Sequence, residues 1–500
     1  MSQTPTVRMM VFLNIFLLLG TYLIPISNPQ QVSQNPLTLN FTEGQILYSP
    51  MWSTKTYVKD YSWNVSHQWT STFFPGVMTR WYGDGKILRT IRVDVGPGTG
   101  GAGGGVQIVR WGGIVVWDFR YNSNGVLSHH DVRALPNGNV LLIAWETKTL
   151  QEAIAAGRDP EHVSSQGFYP DHIIEVQPTG RKSGTIVWEW HVWDHLIQDY
   201  DEIQDNYGRI EDHPELVDIN YAAASQSDWL HVNSIDYNEE YDQILLSVHN
   251  FNEIWVIDHS TTTAEAAGHA GGNSGKGGDL LYRWGNPQAY DRGTSSDQKL
   301  FLQHDANWID PGCPGEGHIL IFNNGGNRFY STVDEIVPPV DENSNYYLGS
   351  GSAYGPTTLT WCYNPHPSFY ASIISGAQRL ANGNTLICNG ETGEIFEVNP
   401  AGATIWEADV GEQMFNIEYI SPEEWSLVVR YGETIKLDSE SDTVHLPVMV
   451  KQKKLDFDGL VGVKNTKKTT EYEFTPVSRT TPTYTNQFTA RLSLFHQFIF

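Results

Sequence analysis

Three histidines recur at one register of this 500-residue chain. His130 in SHHDVRALPNGN, His231 in WLHVNSIDYN and His304 in LFLQHDANWI each open a unit of strand-like pieces broken by Gly, Asn and Asp. In the following unit, SGAQRLANGN, the corresponding place is taken by Gln378. A fourth imidazole, His249 in LLSVHNFNEI, follows His231 by 18 residues and reads as part of the neighbouring strand of the same hairpin. Taken singly, a His beside Asp or Asn at a strand start is ordinarily a structural hydrogen-bond partner. Packing does not require the same imidazole three times at one register, so the repetition points to a shared site. Imidazoles gathered without acidic ligands admit two chemistries. Neutral rings can hold zinc, copper or iron with an open position. Alternatively, one ring is a nucleophile and protonated neighbours stabilise anionic oxygens. The residues alone leave both open.

The elements that must position these rings are repeated. Leu135-Pro-Asn-Gly-Asn-Val-Leu-Leu-Ile returns as Leu380-Ala-Asn-Gly-Asn-Thr-Leu-Ile, and Gly83-Asp-Gly-Lys-Ile-Leu is a weaker copy. Asn-Gly between alternating apolar residues predicts hairpins with type I′ turns, which need positive φ at both central positions. Strands of the form Gly-x-x-x-Trp end at Trp117, Trp188 and Trp406, with those ending at Trp284 and, in Thr358–Trp361, at Trp361 as variants. No long 3.6-residue periodicity runs through the units. Units of about four strands with variable insertions predict an all-β, six-bladed β-propeller. Five blades fall near 75–120, 126–191, 229–286, 301–364 and 373–408, and the sixth joins 45–69 to a strand at 415–420. The alternative is a pair of β-sandwiches. In a propeller the opening strand of each blade lines the central channel, so the repeated histidines converge at its mouth.

Composition agrees with this architecture and limits function. With 46 Gly and 17 Trp the chain looks turn-rich and strand-rich. The formal net charge of −26 argues against non-specific nucleic-acid binding, which needs a cationic surface. Arg8 precedes an apolar run from Met9 to Pro25, so residues 1–27 read as a signal peptide or N-terminal membrane anchor. Export is therefore expected, to the periplasm, the medium or the membrane surface. Asn40 and Asn64 then stand in glycosylation sequons. The propeller is assigned to 40–425. Residues 192–228 form an acidic, partly helical insertion, and 436–500 form a C-terminal extension that loses the blade pattern. Three Cys exclude a disulfide-dense scaffold; Cys313 is isolated, while Cys362 and Cys388 could pair or stay buried.

HHDVRALPNGNVLLIA, HVNSIDYNEEYDQILLSVHNFNEIWVID, GDLLYRWGNPQAY, QHDANWI with GHILIFNNGGNR, and GAQRLANGNTLICNGETGEIFEV together resemble the bacterial arylsulfate sulfotransferases, over about residues 40–425. The resemblance implies a six-bladed propeller that moves a sulfuryl group from an aryl sulfate to a phenol without the nucleotide sulfate donor. It implies a ping-pong reaction through a sulfated histidine, with no cofactor and no metal. By this resemblance His304 is the nucleophile, and His130 and His231 assist. The family has an arginine 18 residues after the second of these, where this chain has His249. Arginine is always charged and bidentate, whereas histidine is charged only below about pH 6.5. Activity is accordingly expected to decline toward alkaline pH through His249. Arg328, in NNGGNR, is a candidate to replace the missing cation. Trp308 is a candidate platform for the aryl ring, as is Phe251. Two other readings stay open: a propeller without the chemistry that binds a surface or polysaccharide, and a His-ligated metalloenzyme.

Overall fold

The computed structural model describes residues 44–94, 96, 100–101, 103–222 and 227–426, together with the backbone of three strands between 444 and 476. Six four-stranded antiparallel sheets follow one another along the chain. Blade 1 holds Gln45–Pro50, Lys55–Asp60 and Val65–Thr70, and its innermost strand is Met414–Ile420 from the far end of the ring. Blade 2 runs from Pro75–Gly83 through Lys86–Asp94 and Gly103–Arg110 to Val115–Arg120. Blade 3 runs from Val126–Ala134 through Val140–Glu146 and Asp171–Gly180 to Ser183–His191. Blade 4 comprises Val232–Asn238, Gln243–Val248, Glu253–Asp258 and Tyr282–Trp284. Blade 5 comprises His304–Trp308, Ile319–Asn323, Thr332–Ile336 and Trp361–Tyr363. Blade 6 comprises Gly376–Arg379, Thr385–Asn389, Glu394–Val398 and Thr404–Asp409. The chain is thus an all-β six-bladed propeller, closed by the antiparallel pairing of Gln45–Tyr48 with Ile417–Ile420.

The two Asn-Gly turns differ from the expected type. Gly138 N–H donates to the Leu135 carbonyl and Leu135 N–H to the Asn139 carbonyl; Gly383, Leu380 and Asn384 repeat the pattern. Only the glycines have positive φ, 85° at Gly138 and 88° at Gly383. This is a three-residue loop with a left-handed glycine. The extra residue is held by Asn137 Oδ1 and Asn382 Oδ1, each accepting the N–H two residues on, at 2.9 Å. The second asparagine of each loop, Asn139 or Asn384, donates to a carboxylate on the blade's third strand, Glu175 or Glu397. The type I′ geometry occurs instead at Asp84-Gly85, where φ is 51° and 70° and Gly83 pairs directly with Lys86.

Two rings of hydrogen bonds hold the blades to one another. Outside, a tryptophan on each fourth strand donates its indole N–H into the next blade. Trp69 reaches the Arg110 carbonyl at 2.9 Å, Trp117 the Ser183 carbonyl at 3.0 Å and Trp188 the Thr261 hydroxyl at 3.0 Å. Trp284 and Trp361 reach the Pro356 and Pro400 carbonyls at 2.9 Å, and Trp406 the Tyr61 carbonyl at 2.8 Å. Inside, polar side chains on the innermost strands accept backbone N–H groups of the next innermost strand. Asp131 accepts from Ile235 at 3.2 Å, Asp236 from Trp308 at 2.8 Å and Asp305 from Ala377 at 2.9 Å. Gln378 accepts from Tyr419 at 3.0 Å and Glu418 from Trp81 at 3.1 Å. The remaining junction is the ion pair of Arg80 with Asp131, at 2.6 Å.

The described part of residues 192–228, expected to be partly helical, holds short 3-10 turns, Val192–His195 and Ile210–Asp212, a parallel two-residue pairing of Leu196–Ile197 with Val217–Asp218, and single bridges at Gln198 and Asp228. Beyond the ring, Val444–Gln452, Leu455–Thr466 and Thr469–Pro476 form a three-stranded antiparallel sheet. The apolar leader and Asn40 lie outside the described residues; Asn64 is exposed in a turn of blade 1. Among the described residues no helix is long and apolar enough to cross a membrane. Cys313, Cys362 and Cys388 are all free thiols, and Cys388 is buried in the core.

Within the inner ring, Asp131 binds Arg80, Val132 N–H and Ile235 N–H while 1% exposed. Asp131→Ala leaves Arg80 half of a broken, nearly buried pair. We expect a loss of about 3–5 kcal/mol in denaturant unfolding, and a loss below 1 kcal/mol would contradict this role for the ring.

Candidate active site

The innermost strands of blades 3, 4 and 5 begin at the same end of the channel, and each begins irregularly. Pairing shifts register between His129 and Val132, between Val232 and Ser234, and between His304 and Asn307. Such bulges leave the ladder locally and re-aim the side chain. His130 and His231 themselves adopt left-handed backbone, with φ of 50° and 54°; in blade 5 the left-handed residue is Asp305, at 48°. Left-handed non-glycine residues cost about 1–3 kcal/mol and persist where surrounding structure over-determines them. Here the inner ring supplies that constraint, because Asp131 and Asp305 directly follow His130 and His304. His249 stands in a 3-10 turn, His249–Phe251, just past the strand Gln243–Val248 rather than within it.

The four imidazoles form a chain of close neighbours. Ring centroids are 4.6 Å apart for His130 and His231, 5.0 Å for His231 and His249, and 5.3 Å for His249 and His304. Phe415, on the closing strand, lies 5.8 Å from His130 and 6.1 Å from His304, completing the wall. Glycine is required over His130. Gly101 has φ of 68°, and a Cβ there would collide with His130; a Cβ on Gly100 would lie 3.5 Å from His231 Cε1.

Every one of the four rings is oriented through Nδ1. His304 Nδ1 faces Asn324 Oδ1 at 2.9 Å, and Asn324 Nδ2 donates to the carbonyls of Ala371 and Ile374 at 3.0 and 2.9 Å. The Asn324 oxygen can therefore only accept, so His304 carries its proton on Nδ1 and keeps a lone pair on Nε2. The same logic applies to His249, 2.8 Å from Asn250 Oδ1, because Asn250 Nδ2 donates to the Asp228 and Trp229 carbonyls. His231 Nδ1 lies 2.5 Å from Asp228 Oδ2, and Trp145 donates to the other oxygen of that carboxylate at 2.8 Å. His130 Nδ1 is 2.7 Å from His129 Nδ1. His129 stacks on Trp145 at 3.8 Å, and its Nε2 lies 2.7 Å from Asp171 Oδ1.

These partners divide the rings electrostatically. Burial pushes His304 down to about 4, so the ring is neutral near neutral pH. His130 and His249 are held well below the ordinary value of 6.5, by burial first and then by the neighbouring histidines. His231 alone is raised: burial opposes its charge, but the charge and hydrogen bond of Asp228 outweigh it. A neutral ring and a ring whose protonated form is favoured by a carboxylate thus share one site, which is the division of labour that acid and nucleophile need.

Three other sequence candidates are engaged elsewhere. Arg328 is spent on its own loop, donating to Thr332 Oγ1 at 2.7 Å and the Tyr330 carbonyl at 3.3 Å, with its guanidinium over the Phe301 and Tyr330 rings. Trp308 ends the strand that His304 begins, roughly 13 Å further along at about 3.3 Å per residue. It lines a cavity of about 610 Å³ with Arg80, Arg133, Asp236, Gln378 and Glu418. Arg80 and Arg133 are already paired there with Asp131 and Asp236. Phe251 is core, fully buried against Tyr221, Trp229 and Trp255. Asp228, Asn324, His129 and Phe415 were not singled out from the sequence. The His-His doublet and Asp228 three residues before His231 were the available signals; Asn324 and Phe415 arrive from other strands.

The family model for arylsulfotransferase (ASST) matches residues 106–431, more than half of the chain. The chain belongs to the arylsulfotransferase family. No curated protein matches it. Solved structures with a similar course include a protein of unknown function from Bacteroides caccae, 13% identical, covering 76% of this chain and 99% of that one at a TM-score of 0.41. A putative 6-phosphogluconolactonase from Bacteroides fragilis is 11% identical, with coverage of 77% and 100% and a TM-score of 0.37. Virginiamycin B lyase from Staphylococcus aureus is 9% identical, with coverage of 76% and 93% and a TM-score of 0.36. Likeness at this level says nothing about activity. Membership in the arylsulfotransferase family identifies the general chemistry as sulfuryl transfer between small aryl sulfates and phenols.

Proposed function

We propose that the protein transfers a sulfuryl group from an aryl sulfate to a phenol by a ping-pong reaction through a sulfated His304. The observation that carries this reading is the tautomer of His304. With its proton held on Nδ1 by Asn324, Nε2 presents a lone pair at neutral pH. Nε2 attacks sulfur, the bond from sulfur to the aryl oxygen breaks, and the departing oxygen takes a proton from His231 Nε2. The acceptor phenol then returns a proton to His231 as its oxygen attacks sulfur, which frees His304. Asp228 holds His231 in orientation and stabilises its charged form. His130, oriented by His129, and Phe415 close the site around the aryl group.

His249 enters this scheme differently from the family's arginine. In the tautomer set by Asn250, and with its pKa far below the ordinary value, it offers a lone pair and no positive charge. The alkaline decline in activity therefore belongs to His231 rather than to His249. The same feature favours a second reading, a propeller that keeps the architecture and serves as a surface- or polysaccharide-binding module. Incubation with p-nitrophenyl sulfate followed by mass spectrometry of the His304 peptide separates the two. We expect a sulfuryl adduct there and no turnover in His304→Asn; persistent turnover in that variant would sink the nucleophile assignment.

The pH profile follows from the two rings. His304, lowered to about 4, must be neutral, so kcat/KM falls as pH drops through about 4. His231, raised above its usual value of about 6.5, must be protonated, so kcat/KM falls as pH rises through that raised value. Asp228→Asn removes the main charge that supports the imidazolium and should move the alkaline limb to lower pH while the acid limb stays. An alkaline limb that does not move would exclude His231 as the acid. We also infer export, with or without membrane attachment, from the apolar run Met9–Pro25. Recovery of the full-length chain in the soluble cytoplasmic fraction would overturn that.

A further inference from the structure

Off the outer strands of blades 3 and 4, two excursions from the ring meet. One is the 3-10 turn Val192–His195 that follows the outer strand of blade 3. The other is the connection between Glu253–Asp258 and Tyr282–Trp284 of blade 4, which carries His269 and Asp279. This connection is tightly built. Thr262 and Glu265 form a reciprocal cap on a single helical turn, and Gly278 and Gly277 N–H donate to the Gly268 and Gly271 carbonyls at 3.0 Å. Trp190 donates its indole N–H to the Gly278 carbonyl at 2.7 Å and stacks nearly parallel on His195, at 5.7 Å and 7°. A side chain on Gly278 would collide with the Ala266 carbonyl and crowd His195 Nε2.

We propose that His195, His269 and Asp279 bind one divalent transition-metal ion of the zinc class. Their donor atoms lie within 4.8 Å of one another, the one such group of three or more ligating side chains among the described residues. The channel histidines do not form a group of this kind. The decisive feature is His195, whose ring is 0% exposed. Its Nε2 lies 2.8 Å from the Ala266 carbonyl, which can only accept, so Nε2 carries a proton. Nδ1 then faces Asp279 Oδ1 at 2.9 Å, lone pair toward carboxylate, and the same oxygen faces His269 Nδ1 at 2.7 Å. A proton or a cation has to stand between Nδ1 and Oδ1.

A buried imidazole that donates one nitrogen to a backbone carbonyl and turns the other to a carboxylate and a second imidazole has the outer partner that metal-binding histidines use. Two nitrogens and one carboxylate oxygen suit zinc; calcium and magnesium take all-oxygen sets. Tetrahedral bonds of about 2.0–2.1 Å place neighbouring donors roughly 3.3–3.4 Å apart. The Asp279 oxygen must therefore move outward by about half an ångström, and His269, with a 63% exposed side chain, is free to follow. The fourth position opens to water on the His269 side. Bound there, the ion ties the blade 3 excursion to the blade 4 excursion.

The test uses the untagged full-length chain after dialysis against a chelator, with zinc chloride as titrant in calorimetry and cobalt(II) absorption as a second readout. We expect one zinc per chain, a tetrahedral cobalt spectrum, and binding weakened at least about tenfold in His269→Ala and Asp279→Asn. His269→Ala removes an exposed side chain and leaves the core untouched, and circular dichroism checks its fold. His304→Asn should bind zinc like the parent. Absence of stoichiometric binding, parent-like binding by His269→Ala, or loss of binding in His304→Asn alone would each overturn the proposal.

Discussion

Each blade hands a hydrogen bond to the next, and the geometry of everything else depends on that. A four-stranded sheet satisfies its own backbone, but its innermost strand presents an edge to the channel, where unpaired N–H groups are costly. Side chains of the preceding blade take up those groups: Asp131, Asp236, Asp305, Gln378 and Glu418 in turn, with Arg80 and Asp131 at the remaining junction. The outer tryptophans repeat the device at the rim, with an indole donor reaching forward to the next blade. Closure by the strand from the far end of the ring lets both circuits run without a gap.

The imidazoles are by-products of this circuit in position and specialised by their partners in chemistry. His130 and His304 immediately precede ring carboxylates, so the tie that fixes Asp131 or Asp305 also fixes the backbone that carries the histidine. What differs between the rings is the group behind Nδ1. A carboxylate behind His231 favours the cation, whereas amide oxygens behind His249 and His304 fix a neutral tautomer. The inner ring also accounts for part of the acidic balance of the chain. Burial raises Asp305 to about 6 and Glu418 to about 7, against nearby Arg80, so these two groups contribute less negative charge than the formal count assigns them.

Much of this was legible in the residue pattern. The Trp-ended strands and the Leu-x-Asn-Gly-Asn repeat marked the blades because their spacing reflects local hydrogen bonding that every copy needs. The register of His130, His231 and His304 was legible because a ring converts equal positions in a repeat into neighbours in space. The Asn-Gly loops misled in detail: Asn137 and Asn382 spend their side chains on the N–H two residues on, which favours a three-residue loop over the type I′ turn. Arg328 was placed by loop position, and its loop turns out to hold it through Tyr330 and Thr332.

By itself, then, the sequence determined the blade count, the closing strand and the three repeated histidines, since each rests on short-range patterns repeated around a ring. Only the tertiary structure decided which histidine is pushed toward its charged form and which toward its neutral one. That depends on Asp228 behind His231 and on Asn324 behind His304, the latter itself aimed by the carbonyls of Ala371 and Ile374. Protonation in a buried site is set by whatever groups happen to be within hydrogen-bond reach, and for His304 those groups come from segments far apart in the chain.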